Sequence, residues 1–422
     1  MKPTIRLAAV AFAMAATAAL SQARLDTPKY PGKVWMLPAT LETTQWGWFD
    51  NSQPPVLKVD SGDTVIFETM MHSHNQVVPG RTIEEIKKMR TDFPGRGPHT
   101  LTGPVYVNGA EPGDVLKVTI LKIVPRAYAT NFNVPGLFGE FPKDYPDGQV
   151  KYLYLDLEKM ETEFLPGIFV PLKPFPGTTA VARAQPGRYS SVPPGEFAGN
   201  LDIRDFSEGA TLYVPVWVKG ALLWTGDSHA GQGNGEINLT AIETAYKEMA
   251  ITVSVLKDMK LDMPRIETPT HWITMGMDND LNLAWNQALR ETTKLIAEKR
   301  KVSADEAAVI MGRVSDCRVS QVVNIKKGIH CLTPKDASAT GIPERPAVEN
   351  AVWYVSAARN ADLNKAMDEA SRGMIRFLEE KKGIARLDAY GLASVAMDCR
   401  VGEMTGSEGN VHCLMAKSLW RK

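Results

Sequence analysis

Net charge is the first thing this sequence lacks. Across 422 residues, 48 lysines and arginines face 48 aspartates and glutamates, with the signs interspersed. No overall field therefore recruits nucleic acid or an anionic membrane. Long apolar runs are missing too: the uncharged stretch from Leu7 to Leu20 is too short for an ordinary membrane span, and no later segment is long and apolar enough. Three nucleophile or phosphate signatures are absent. The glycine-rich stretch near residue 230 has no Lys-Ser/Thr ending, which excludes a phosphate-cradling P-loop. Gly226-Asp227-Ser228-His229-Ala230 lacks the second glycine of a G-x-S-x-G elbow. All 4 cysteines fall in the C-terminal third, away from the motifs that could use a thiolate.

What is present starts at the N-terminus. Lys2 and Arg6 precede the apolar stretch, and Ser21-Gln22-Ala23 supplies small residues before a cut after Ala23. Residues 1–23 thus read as a secretory signal peptide, and the mature chain is expected to be periplasmic or secreted, with no membrane contact after cleavage. What remains is long enough for two or three domains with real cores. In an oxidising compartment the cysteines are candidates for two disulfides.

From Val56 to Leu256 the signals are mainly strand and turn. Ser61-Gly62-Asp63, Pro112-Gly113-Asp114 and Ser207-Glu208-Gly209 each start a short β-branched run: Thr64–Glu68, Val115–Ile120 and Ala210–Val214. Runs so punctuated predict a mainly β, sandwich or jelly-roll-like body over 24–256. Between Arg126 and Pro194 the pattern weakens and reads as long loops and short strands. The C-terminal third repeats itself at one constant offset: Asp280-Leu281-Asn282 with Asp362-Leu363-Asn364, Asp316-Cys317-Arg318-Val319 with Asp398-Cys399-Arg400-Val401, and His330-Cys331-Leu332 with His412-Cys413-Leu414. We divide it into α/β unit 1 (257–336), a linker (337–350) and α/β unit 2 (351–422), expected to pack as a pseudo-twofold pair. Each unit reads as a strand (Trp272–Met275, Trp353–Ser356), a long amphipathic helix, a second helix, an Asp-Cys-Arg turn and a closing strand. Ser303-Ala304-Asp305-Glu306 reads as a capping box. Four cysteines allow three connectivities. A bond inside each unit, Cys317–Cys331 and Cys399–Cys413, is favoured because each unit then carries its own staple. A zinc site built from two cysteines and His330 is the rival.

The chemistry-bearing residues concentrate in Gly226-Asp227-Ser228-His229-Ala230-Gly231-Gln232-Gly233-Asn234-Gly235-Glu236. Carboxylate, imidazole and amide groups separated by glycine suit close approach to a ligand. In extended backbone Asp227 and His229 point the same way. His72 and His74, following the strand that ends near Thr69, would share a face if that strand continued. Glu68 either faces a pocket or water. Asp202 sits in a turn-like context, Gln232 serves a ligand or a structural hydrogen bond, and His99 and His271 have no partner in sequence. Glu111 reads as structural.

Asn108-Gly109-Ala110-Glu111-Pro112-Gly113-Asp114, Gly199-Asn200-Leu201-Asp202 and the eleven-residue stretch, led in by Val214 to Leu223, resemble the acetamidase/formamidase family over roughly Pro38 to Pro334. The resemblance implies a two-sheet sandwich with appended α/β elements and hydrolysis of a small linear amide, such as formamide or acetamide, to carboxylate and ammonia. One α/β unit suffices for the family pattern, so the second reads as an addition. Amide hydrolysis needs a nucleophile, oxyanion stabilisation and a proton donor; a divalent metal supplies the first two. We expect that metal on Asp202, Asp227, His229, His72 and His74, as zinc, with calcium as the alternative. Glu236 or Glu68 would move the proton, and Gln232, Asn131 and Phe132 would hold substrate. Histidines stand at 72 and 74 where the family has acids, which opens a different reading: a binding protein that captures a small ligand or metal without turnover. A homo-oligomer is expected, with the duplicated units as an assembly surface.

Overall fold

The computed structural model describes residues 30–338, 346–402 and 409–421. The signal peptide at 1–23 and the middle of the 337–350 linker lie outside the described residues. The chain is mainly β, with few helices and two large sheets of 12 and 9 strands.

The larger sheet runs in the order Val34–Leu37, Thr64–Phe67, Tyr246–Leu256, Val115–Pro125, Thr211–Pro215, Arg265–Glu267, His271–Asp278, Lys327–Pro334, Asp316–Gln321, Asp398–Val401, Gly409–Ala416, Trp353–Asn360. One hydrogen-bonded sheet therefore carries strands of the N-terminal body and of both C-terminal units. In the second sheet Leu223–Gly231 is flanked by Phe175–Val181 on one side and by Thr100–Val107 and Ile242–Thr244 on the other. Val65, Phe67, Val118 and Ile120 of the first sheet share one buried cluster with Leu101, Val105, Ala180 and Trp224 of the second. Each such side chain taken out of water contributes about 1.5–3 kcal/mol.

The predicted strands at Thr64, Val115 and Thr211 form, and Val115 extends to Pro125 because its alternating side chains find partners along all of Tyr246–Leu256. The short strands expected within 126–194 form. That segment contains Tyr128–Phe132 and the wholly buried Phe175–Val181. A strand covered on both faces shows no alternation for the sequence to display.

The C-terminal units follow their local signals. Asp280 caps the helix Leu281–Arg300 through Asn282 N, and Ser303 with Glu306 closes the capping box of Ala304–Val314. The Asp-Cys-Arg segments are strands, not turns: Asp316–Gln321 and Asp398–Val401 pair antiparallel with each other, Arg318 opposite Arg400. Around this junction the strand order reads the same from either side. Asn282 Nδ2 donates to Asp362 Oδ1 (3.0 Å) and Asn364 Nδ2 to Asp280 Oδ1 (2.8 Å). Cys317 bonds Cys331 and Cys399 bonds Cys413. The rival zinc site on those cysteines is thereby removed; His330 Nδ1 instead meets Ser320 Oγ at 2.8 Å.

Candidate functional site

The strand Leu223–Gly231 is buried along its whole length, and its small residues make that possible. A Cβ on Gly226 would lie 2.2 Å from the carbonyl oxygen of Thr100, so only glycine lets the neighbouring strand approach. Asp227 then takes φ 52° within the strand. The expected convergence of Asp227 and His229 occurs, but through this left-handed residue rather than through uninterrupted extended backbone. His229 Nε2 lies 3.4 Å from Asp227 Oδ1 and 3.2 Å from Glu243 Oε2. Glu243 gets there by register, directly across the ladder from His229. Its Oε1 accepts from Ala241 N at 2.8 Å, which fixes the carboxylate.

Other side chains arrive from distant segments. His72 Nε2 approaches Asp227 Oδ1 at 3.0 Å and Glu243 Oε2 at 3.3 Å. His99 Nε2 lies 3.6 Å from Asp227 Oδ2, and its Nδ1 meets Ser191 Oγ at 2.9 Å. Asp202 Oδ1 lies 3.9 Å from His229 Nδ1, while Asn324 Nδ2 donates to Asp202 Oδ2. Asp202 and Glu236 both have positive φ, 48° and 49°. Together with Asp227, the acids of the site sit in a backbone region that costs on the order of 1–3 kcal/mol per non-glycine residue. The surrounding sheet must hold them there. A cavity of about 320 Å³ opens onto the cluster and is lined also by Arg90, Arg96, Phe132, Phe138, Asn200 and Thr240. Gly177 packs directly against the cluster: a Cβ there would sit 2.6 Å from Asp227 Oδ2 and 2.7 Å from both Asp202 Oδ1 and His229 Cε1.

Burial opposes charge on every one of these groups, and their neighbours decide the outcome. For His229 the carboxylates of Glu243 and Asp227 outweigh burial and hold the imidazolium well above its ordinary range. His72 is raised in the same way to about 9, Glu243 first among the causes that oppose burial. Burial wins at His99, which falls to about 4. Asp227 is held well below the usual carboxylate range by His99 and His229 against the cost of burial, and Glu243 is lowered to about 2 by His229 and His72. Asp202 and Glu236 are pushed well up, by burial and, among neighbouring acids, by Asp227 at Asp202 and by Asp202 at Glu236.

Imidazole and carboxylate ligand atoms within 4.8 Å of one another occur in three overlapping groups: Asp227, His229 and Glu243; His72, His99 and Asp227; Asp202, His229 and Glu236. Asp202 Oδ1, His229 Nδ1 and Glu236 Oε2 are buried without a hydrogen-bond partner, while Glu243 Oε2 has the His72 and His229 rings beside it. Orphaned buried acceptors are expensive, and a cation would satisfy them. The donor set fits a divalent metal.

Several expected residues do not reach the cavity. The chain after Thr69 does not continue as a strand. Ser73 and His74 have φ 55° and 53°, which turns only His72 inward. The His74 ring instead lies 6.0 Å from Trp46. Glu68, just past the strand end, is half-buried and not among the lining residues; its carbonyl accepts from Thr102 Oγ1 at 2.8 Å. Gln232 donates to the carbonyls of Asp202 and Ser320, both at 3.3 Å, and braces the Asp202 turn from behind. Asn131 donates to Thr240 Oγ1 (3.0 Å) and the Ala241 carbonyl (3.0 Å), holding the loop between Glu236 and Glu243. Phe132 lines the cavity as expected, edge-on to His72. His99 and Ser191 read as unpartnered loop residues in sequence, and Asn324 and Glu243 carry no role there. Glu243 carried one usable signal, since a short strand after Leu239 could have folded back on the motif; the others are brought in only by tertiary structure.

Fold and site together define a mainly β protein with a buried carboxylate–imidazole centre that lines a cavity. The chain belongs to the acetamidase/formamidase family, whose model matches residues 41–188 and 184–415. That match runs beyond Pro334, where the resemblance seen in sequence ended, into the second unit. An acetamidase of Mycolicibacterium smegmatis is 28% identical over 235 residues, covering 42% of this chain and 56% of its own length. A formamidase of Methylophilus methylotrophus is 25% identical over 347 residues, covering 64% and 84%. The chain thus spans little more than half the length of the first of these relatives. The crystal structure of an acetamidase from Bacillus halodurans superposes with a TM-score of 0.64 at 30% identity, covering 71% of this chain and 97% of that one.

Proposed function

We propose that this protein is an exported, metal-dependent amidohydrolase that cleaves a small linear amide to carboxylate and ammonia. The observation that carries the reading is the convergence of Asp202, Asp227, His229, Glu236, Glu243, His72 and His99 on one cavity, with buried acceptors left unpaired. Family membership and the names of the relatives point the same way. Asp227, His229 and Glu243 would hold a divalent cation, with His72 and His99 as further candidate ligands. The mixed imidazole and carboxylate set favours zinc over calcium. Such an ion, when bound, polarises the amide carbonyl and acidifies water. Glu236, kept protonated by burial beside Asp202, is placed to give its proton to the departing nitrogen and to regain one from the attacking water. Ser191 holds the His99 ring in place through Nδ1.

The finer structural readings belong here as well: a two-sheet sandwich body, a duplicated α/β unit with domain boundaries at 256 and 336, and a homo-oligomer. Two disulfides support export, because such bonds persist in oxidising compartments.

Elemental analysis of the purified full chain, with ammonia release from formamide and acetamide, tests the reading. We expect stoichiometric metal, turnover, and loss of both in His229→Ala with the far-UV circular dichroism spectrum retained. Unchanged turnover in that variant removes the mechanism. Bound metal with no turnover of any amide leaves a binding protein instead.

A further inference from the structure

The cavity lining carries both signs of charge. Beside the acid-rich cluster it includes Arg90, in the last turn of the helix Ile83–Asp92, and Arg96 from the following loop, both half-buried. Several other half-buried arginines are matched to carboxylates, as Arg318 is to Asp316 and Arg400 to Asp398. Among the described residues, Arg90 and Arg96 form no ion pair and no side-chain hydrogen bond. Burial alone lowers Arg90 to about 10, and burial with a second arginine, Arg188, lowers Arg96. Both are held by aromatic faces rather than by acids: Arg90 lies 5.3 Å from the centroid of Phe138, and Arg96 lies 4.7 Å from Trp46 and 5.4 Å from Phe93. Arg90 is near enough to His99 to oppose charge on that imidazole. The two guanidinium groups therefore line the same space that the acidic centre opens into.

Leaving two cations partly desolvated and unpaired is costly, and an anion brought by a ligand would remove the cost. A one- or two-carbon amide would do nothing for them. It would also fill only a small part of a cavity of about 320 Å³, a volume at the lower end of ordinary ligand pockets. Guanidinium suits a carboxylate, which it can grip through two parallel N–H donors.

We infer that the preferred substrate is an amide carrying a carboxylate at its far end, a monoamide of a short dicarboxylic acid, with Arg90 and Arg96 gripping that carboxylate while the amide faces Asp227, His229 and Glu243. This rests on the amidohydrolase reading and narrows it. The neutral end would be the one cleaved, so the product is a dicarboxylate and ammonia, with water the only other reactant.

The full-length chain is assayed for ammonia release from succinamate and from butyramide, its uncharged counterpart of equal chain length. We expect kcat/KM for succinamate to exceed that for butyramide by about tenfold or more, as hydrogen bonds between charged groups imply. In Arg90→Gln and in Arg96→Gln that ratio should fall by about tenfold, chiefly through KM, with Arg90→Lys recovering part of it. A preference for butyramide, or a ratio that neither substitution moves, overturns the inference. Calorimetric titration with succinate separates it from the reading beneath. If no amide is hydrolysed but succinate binds and Arg90→Gln abolishes that binding, anion recognition stands and hydrolysis falls. If the unaltered chain neither prefers succinamate nor binds succinate, the inference is wrong.

Discussion

At the scale of single residues, the site depends on positions that give up space as much as on those that carry charge. Gly177 has no side chain to offer, yet a methyl group there would collide with Asp202, Asp227 and His229 together. We expect Gly177→Ala to lower metal content and reduce ammonia release at least tenfold, as elemental analysis and kcat/KM will show, without loss of the folded circular dichroism spectrum. Activity within twofold of the unaltered chain would mean that the packing there can yield. Glu236→Gln makes a different cut. Glutamine keeps the shape of a protonated carboxyl but has no proton to give, so kcat should fall by about a hundredfold with metal retained. Loss of metal in that variant would show that Glu236 is a ligand first. His99 and Glu243 explain why sequence could name only part of this centre. A histidine in a Gly/Pro loop and a glutamate in a short strand carry no local mark of their role. One is brought in by long-range packing of its loop and the other by a single register, His229 opposite Glu243.

At the scale of elements, what could be read from sequence was whatever is specified locally. The capping box at Ser303, the strand starts after glycine turns and the repeat with its within-unit disulfides all depend on residues close in the chain. His74 and Glu68 failed for the converse reason. The His74 reading assumed that a strand continues past Thr69, whereas Ser73, His74 and Asn75 turn left-handed, a departure that no alternation of side chains announces; for Glu68 alternation left pocket and water equally open. The junction of the repeated units is an element-level device that gives a quantitative prediction. Asn282 Oδ1 accepts from Leu363 N at 2.9 Å, and Asn364 Oδ1 accepts from Leu281 N at 3.1 Å, so each helix is capped by the other's asparagine. Either Asn→Ala change should cost about 1–2 kcal/mol in urea unfolding, the usual size of a lost cap. Because the two share partners, the double variant should cost less than the summed singles by at least 0.5 kcal/mol. Strict additivity would show that the two caps act independently.

At the scale of the whole molecule, the body and both C-terminal units meet around Glu140. Its backbone N–H donates to the Ile237 carbonyl at 2.8 Å, which ties it to the loop bearing Glu236, while its carboxylate lies 3.8 Å from Lys327 of the first unit. Asp368 and Arg372 of the helix Leu363–Lys382 act on it from the second unit. Burial is the dominant effect and raises Glu140 from 4.5 to about 7, with Lys327 pulling the other way. The folded chain therefore keeps a proton that the unfolded chain has released. Stability from this group is fully present below pH 4.5, declines as pH rises from there to 7, and is level above it. The shift is worth about 3 kcal/mol across that window. Glu140→Gln carries no such proton, so its stability relative to the unaltered chain should grow as pH rises between 4.5 and 7 and then stay constant. Urea midpoints at a series of pH values will measure the difference. A gap that does not change with pH would mean that Glu140 is solvated or fully paired, and that the three parts of the molecule meet more loosely there than its burial implies.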